Sequence, residues 1–120
     1  MKSDNVVQKK SFEFAILIVN TYKDMVNIQK EYVLSKQLLR SGTSIGANIE
    51  EAIGSHTEKE FLMKFGIAYK EARESLYWIK LLHATGYLTA QSAQLLIHDS
   101  EELCRIIGSI QTTMKSKLSK

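Results

Sequence analysis

The stretch Arg40-Ser41-Gly42-Thr43-Ser44-Ile45-Gly46-Ala47-Asn48-Ile49-Glu50-Glu51-Ala52 constrains this chain more than any other. Its Gly, Ser and Thr suggest a loop, yet Leu38, Ile45, Ile49 and Ala52 recur at helical spacing. At about 100° per residue, Leu34 joins them on one face. Gly42 and Gly46 fall on the shoulder of that face beside Leu39 and Ile53, while Lys36, Arg40, Thr43, Ala47 and Glu50 point away. A glycine inside a helix costs about 1 kcal/mol relative to alanine. Two of them are expected only where a neighbouring helix approaches closely, since glycine has no Cβ. The stretch is therefore expected at the crowded centre of a helical bundle, with Gly42, Ile45, Gly46 and Ile49 as packing residues.

Two other readings of the glycines fail. A phosphate-cradling loop needs GxxxxGK[ST], or GxGxxG between a strand and a helix, and neither pattern surrounds Gly42 and Gly46. A membrane dimer motif needs an apolar segment of about 20 residues, whereas this one carries Arg40, Asn48, Glu50 and Glu51. The longest apolar run, Phe14 to Val19, is too short to span a bilayer. Met1-Lys2-Ser3-Asp4 leads into no secretory apolar region, and the lone Cys104 leaves no internal disulfide or zinc site. A soluble, cytoplasmic protein is expected.

The 120 residues suit one domain, residues 1–120, and the absence of proline favours long helices. Four are expected, at about 6–28, 31–53, 58–85 and 90–116. In the first, Phe12, Ala15, Val19, Tyr22 and Val26 form a stripe, and Phe14, Leu17, Ile18, Met25 and Ile28 spread apolar surface further round. A helix this apolar needs more than one neighbour. Gly54 ends the second helix. Thr57 with Glu60 makes a capping box that opens the third, whose core stripe is Phe61, Phe65, Ala68, Tyr69, Ala72, Leu76 and Ile79, closed by Gly86. Thr89 caps the fourth, where Leu96, Ser100, Leu103, Ile107, Ile110 and Met114 repeat at nearly 3.5 residues, and the tail beyond Met114 is expected to fray. The fold class is all-α: an antiparallel up-down-up-down four-helix bundle.

Opposite the core stripe of the third helix lie Met63, Ile67, Tyr77, Trp78 and Leu81, interrupted by Lys70 and Glu74. An apolar patch of this kind on a bundle's back marks an interaction surface, with Trp78 its foremost anchor. These residues are the candidate oligomer interface; the alternative is that another segment covers them. Glu71, Arg73 and Glu74 read either as a solvated surface, with Lys70 and Glu74 paired one turn apart, or as groups that set the register of a subunit contact.

The segment Leu38 to Ala52 resembles the signature of the bacterial 23S rRNA intervening-sequence proteins. Lys70-Glu71-Ala72-Arg73-Glu74-Ser75-Leu76-Tyr77-Trp78-Ile79 and Gly86-Tyr87-Leu88 are similar to that family's second block. The likeness runs from about Ser11 to Met114. It implies a four-helix bundle that assembles as a homopentamer, and an origin in reading frames inserted in ribosomal RNA genes. A related branch serves diversity-generating retroelements, binding nucleic acid and the reverse transcriptase. The resemblance implies no established enzyme activity and a largely undefined molecular role.

Catalytic and metal chemistry finds no constellation in the sequence. None of His56, His83 and His98 stands three residues after a Glu, so the pairs of di-iron bundles are missing. His56 and Glu60 alone make no metal site, and His83 reads as a helix-end residue near the core stripe. Helical ribonucleases of the HEPN type carry an Arg followed shortly by His, and Arg40, Arg73 and Arg105 have no such partner. Cys104, between Leu103 and Arg105, reads as a buried inert thiol. No cofactor, metal or small-molecule substrate is expected.

In an up-down-up-down bundle one end gathers Lys2, Lys9, Lys10, Lys59, Lys115, Lys117 and Lys120 against Asp4, Glu58 and Glu60. The other end, around Lys30-Glu31 and His83 to Thr89, is nearly neutral. The formal net charge is only +3, but a ring would repeat the cluster and strengthen its field. Phosphate backbone is the matching partner. The candidate nucleic-acid residues are therefore Lys2, Lys9, Lys10, Lys59, Lys115 and Lys117, against the alternative of lysines that keep mobile ends soluble. The expected function is a non-enzymatic, oligomeric, RNA- or nucleic-acid-associated protein. The alternative is an adaptor ring that binds a protein partner such as a reverse transcriptase.

Overall fold

The structure, a computed structural model, describes the backbone of residues 2–119 and the side chains of residues 6–119. Four helices run α1 Lys2–Asn27, α2 Leu34–Ile53, α3 Glu58–Ala84 and α4 Ala90–Leu118. Residues Lys115 to Leu118, expected to fray, continue α4.

The start of α2 lies later than expected because Glu31 is not in the helix but serves it. Lys30 bends the chain at φ 58°, and the buried Glu31 carboxylate then accepts the N–H groups of Val33, Leu34 and Ser35 at 3.1, 2.8 and 2.7 Å. These are donors that a helix start leaves without intrahelical partners. Thr57 accepts from the Glu60 N–H at 3.0 Å, the forward arm of the expected capping box, and Thr89 accepts from Ser92 at 3.2 Å. Gly86 adopts φ 87° just beyond α3, where the Tyr87 N–H returns to the Leu82 carbonyl at 2.9 Å. That left-handed turn ends the helix as the glycine predicts. Gly54 ends α2 without it, at φ −84°.

Cross-helix pairings give the direction of each helix. Ser11 and Ile18 of α1 meet Gly46 and Gly42 of α2 in reverse order. Ser41 and Glu51 of α2 meet Ser75 and Lys64 of α3, again reversed. Gly66 and Tyr69 of α3 meet Gln111 and Gly108 of α4. Successive helices are thus antiparallel, and α4 closes on α1 through the loosest seam. The resulting rod measures 51 × 21 × 21 Å.

The faces of α2 and α4 are those expected: Leu38, Ile45, Ile49 and Ala52 are buried, as is every member of the Leu96-to-Met114 series. On α1 the overlapping apolar stripes resolve in favour of Val7, Ser11, Phe14, Ile18 and Met25, leaving Phe12 67% exposed. Periodicity cannot choose between such stripes; the fit to α2 does. An alanine Cβ at Gly42 would stand 2.7 Å from Ile18 Cγ1, and one at Gly46 would stand 3.4 Å from Ser11 Oγ. The expected close approach at the two glycines is therefore made, by the small Ser11 and the branched Ile18. Beside this contact the buried Ser75 hydroxyl donates to Ser41 at 2.9 Å, closing α3 against α2.

Candidate nucleic-acid interface

The antiparallel order brings the end of α4 to the α2–α3 turn, where Met114 shares a depression with Ile53, His56, Glu58 and Phe61. Lys115 and Lys117, both exposed, occupy the last turn of α4. Lys59, also exposed, lies in the first turn of α3. Lys9 is exposed but lies roughly 10 Å inward from the start of α1, at 1.5 Å per residue. Lys10 is directed elsewhere: its Nζ pairs with Glu102 of α4 at 3.1 Å. The side chain of Lys2, and Lys120, lie outside the described residues. Lys115 and Lys117 also complement the negative end of the α4 dipole, a structural role that leaves their ammonium groups in water.

The outer face of α3 divides. Met63 and Tyr77 are 57% and 59% exposed, and Ile67 is exposed. Leu81 and Trp78 are half-buried. Trp78 packs against the core, its Nε1–H donates to Glu74 at 2.9 Å, and its ring meets that of Tyr77 edge-on at 5.1 Å. Met63 and Tyr77 are therefore the more exposed side chains of this face, and Trp78 the more buried. A second exposed apolar pair, Phe12 and Ile16, lies on α1. Helices α1 and α3 stand diagonally across the bundle, so the two patches face away from each other.

Glu71 and Glu74 are engaged within the subunit. Arg40 of α2 donates to Glu71 at 3.1 Å and also to Glu74, so the expected Lys70–Glu74 pair gives way to a guanidinium from the neighbouring helix. The planar fork presents its two NH2 ends in a fixed geometry, one to each of two carboxylates one turn apart. The Trp78 indole N–H, with Arg40 adding to it against burial, holds the Glu74 carboxyl below its ordinary pKa.

His56, His83 and His98 are all exposed, so His83 belongs to the surface and not to the core edge. Cys104 is half-buried, and burial raises its thiol pKa. Among the described residues, no three His, Cys, Asp or Glu side chains come close enough to hold a metal ion, and no helix is long and apolar enough to cross a membrane. Sequence reasoning missed Glu31 and Arg40, whose roles depend on which backbone and which helix they meet.

Fold and surface define a class: an all-α antiparallel bundle whose distinguishing chemistry lies in exposed charge and exposed apolar faces. This chain belongs to the 23S rRNA-intervening sequence protein family, matching it over residues 3–109. It is similar to the crystal structure of a protein with unknown function from the S23 ribosomal protein family of Bacteroides thetaiotaomicron. The two share 51% identity and a TM-score of 0.90, over 92% of this chain and 98% of that one. No curated protein matches.

Proposed function

We propose that this chain is a non-enzymatic, oligomeric bundle protein that associates with RNA or another nucleic acid through the lysine-rich end of the rod. The observation that carries this reading is the convergence of exposed Lys59, Lys115 and Lys117 on one end. Clustered ammonium groups bind phosphate backbone by releasing condensed counterions, without reading sequence. Oligomerisation is supported by the two unlike apolar patches on α1 and α3. Unlike patches that face apart suit head-to-tail contacts, which form a ring when the rotation between subunits closes, as in the homopentamer that the family resemblance implies. A ring repeats the lysine cluster in every subunit and multiplies its field.

Fluorescence anisotropy with a labelled single-stranded RNA across a salt series tests the reading. Affinity is expected to fall steeply with salt, and Lys59→Gln/Lys115→Gln/Lys117→Gln is expected to weaken binding and flatten that dependence. No affinity at low salt, or affinity indifferent to salt, ends it. A second reading, an adaptor ring for a protein partner such as a reverse transcriptase, draws support from Ile28, Tyr32 and Val33. These are exposed at the opposite end, where apolar side chains favour protein contact. A partner retained on the immobilised chain after nuclease treatment favours this second reading.

A further inference from the structure

We propose that the nucleic-acid strand runs lengthwise along the seam between α3 and α4, its phosphates held by Arg73 and Arg105, and does not rest on the lysine-rich end alone. This builds on the reading that the chain binds nucleic acid. The seam forms a groove of about 300 Å³ lined by Tyr69, Arg73 and Leu76 of α3 and by Glu101, Cys104 and Arg105 of α4. Both arginines are exposed, and neither pairs with a carboxylate among the described residues. Arg40, by contrast, is committed to two carboxylates. Both guanidinium groups act on the same thiol: burial is the main influence on Cys104, and the charges of Arg73 and Arg105 each oppose it. Two uncommitted guanidinium groups from neighbouring helices, on either side of one groove, suit the oxygens of a phosphodiester. The half-buried Tyr69 ring beside them offers a stacking edge for a base.

The cations continue along the seam. Exposed Lys80 follows Arg73 by about two turns on the same face of α3, and exposed Lys115 follows Cys104 by about three turns on the same face of α4. Lys59 at the start of α3 and Lys115 lead from the lysine-rich end to the arginine pair, and Lys80 extends the row beyond it toward the opposite end. The seam between α1 and α4 has the opposite character. Its groove presents Glu13, Asp99 and Glu102, and its one cation, Lys10, is paired with Glu102. Charge is therefore sorted by flank as well as by end, and a phosphate chain is drawn to one seam and repelled from the other. Glu101 is the one carboxylate lining the arginine groove.

The test is anisotropy of fluorescein-labelled oligouridylate over a salt series. It compares the full chain with Arg73→Gln/Arg105→Gln, with Glu101→Gln and, as a control on the other seam, with Glu13→Gln/Asp99→Asn. Loss of two single-strand phosphate contacts is expected to lower the slope of log affinity against log salt by about 1.4. Glu101→Gln is expected to bind more tightly and the control to keep the wild-type slope. Cys104 supplies a readout free of substitutions: oligouridylate is expected to slow its alkylation by iodoacetamide at low salt and not at high salt. Binding with an unchanged slope in the arginine variant, or no protection of Cys104 in the wild type, overturns the seam while leaving the lysine-rich end intact. Absence of any wild-type binding overturns the nucleic-acid reading and this inference with it.

Discussion

Ile18 stands where a methyl group on Gly42 would go. The nearest contacts to a Cβ there are Ile18 Cγ1, Cγ2 and Cβ at 2.7, 2.9 and 3.2 Å, atoms close to the α1 backbone on a side chain stiff at χ1. Gly42→Ala is therefore expected to lose about 1–3 kcal/mol to overpacking, only partly offset by about 1 kcal/mol of helix propensity. At Gly46 the new methyl meets Ser11 at ordinary van der Waals distance, 3.4 Å or more. Gly46→Ala is expected to be neutral or to stabilise by up to about 1 kcal/mol. Urea unfolding of the two variants separates a notch that needs glycine from one that merely contains it. Glu31 supplies a second residue-scale prediction. Burial alone favours its protonated form, but the N–H groups of Ser35, Leu34 and Val33 outweigh burial and lower its pKa. A carboxyl with a lowered folded pKa contributes its stability above its unfolded pKa and loses it as pH falls through the folded value. Glu31→Gln is expected to cost about 1 kcal/mol at neutral pH, as the loss of a helix cap does. The gap from wild type should close on acidification, as read by thermal melts across pH. The glycine notch was legible because spacing alone places it on a helix shoulder. Glu31 was not, because a buried cap and a solvated glutamate look alike until the chain turns back on it.

At the scale of the helix, legibility followed the sharpness of the apolar stripe. The repeat in α4 has one apolar face and was read residue for residue. In α1, apolar residues surround most of the cylinder, and only docking on Gly42 and Gly46 decides that Phe14 goes in while Phe12 stays out. The outer face of α3 was legible as apolar, but not that Trp78 would be among its more buried members. An indole that donates to Glu74 and packs on the core looks the same in sequence as one left free. This changes the choice of probe. Trp78→Glu would disturb the fold as well as any interface, whereas Met63→Glu/Tyr77→Glu alters two side chains already more than half exposed. The double variant is expected to keep its circular dichroism and to sediment as a smaller species than wild type. An unchanged sedimentation coefficient with an intact fold would remove this face of α3 from any interface.

For the whole molecule, four amphipathic segments joined by short turns left few alternatives to an antiparallel bundle. The pairings of Ser11 with Gly46, Ser41 with Ser75 and Tyr69 with Gly108 are the physical form of that topology. Lys59, Lys115 and Lys117 stand at the end the topology assigns them, whereas Lys9 lies further along α1 and Lys10 turns to Glu102. The seam between α3 and α4 did not follow from the topology. Arg40, Arg73 and Arg105 are equivalent as letters, and packing determines that Arg40 finds two carboxylates while Arg73 and Arg105 line the groove between α3 and α4. The proposed oligomerisation and nucleic-acid association would reside in one particle, and sedimentation velocity of the 13.6 kDa chain with fluorescein-labelled oligouridylate tests both together. At low salt the label is expected to travel with a protein species several times the mass of one chain, and to be released from that same species as salt rises. Label that stays free at low salt, or that travels with a species of one chain's mass, would contradict it.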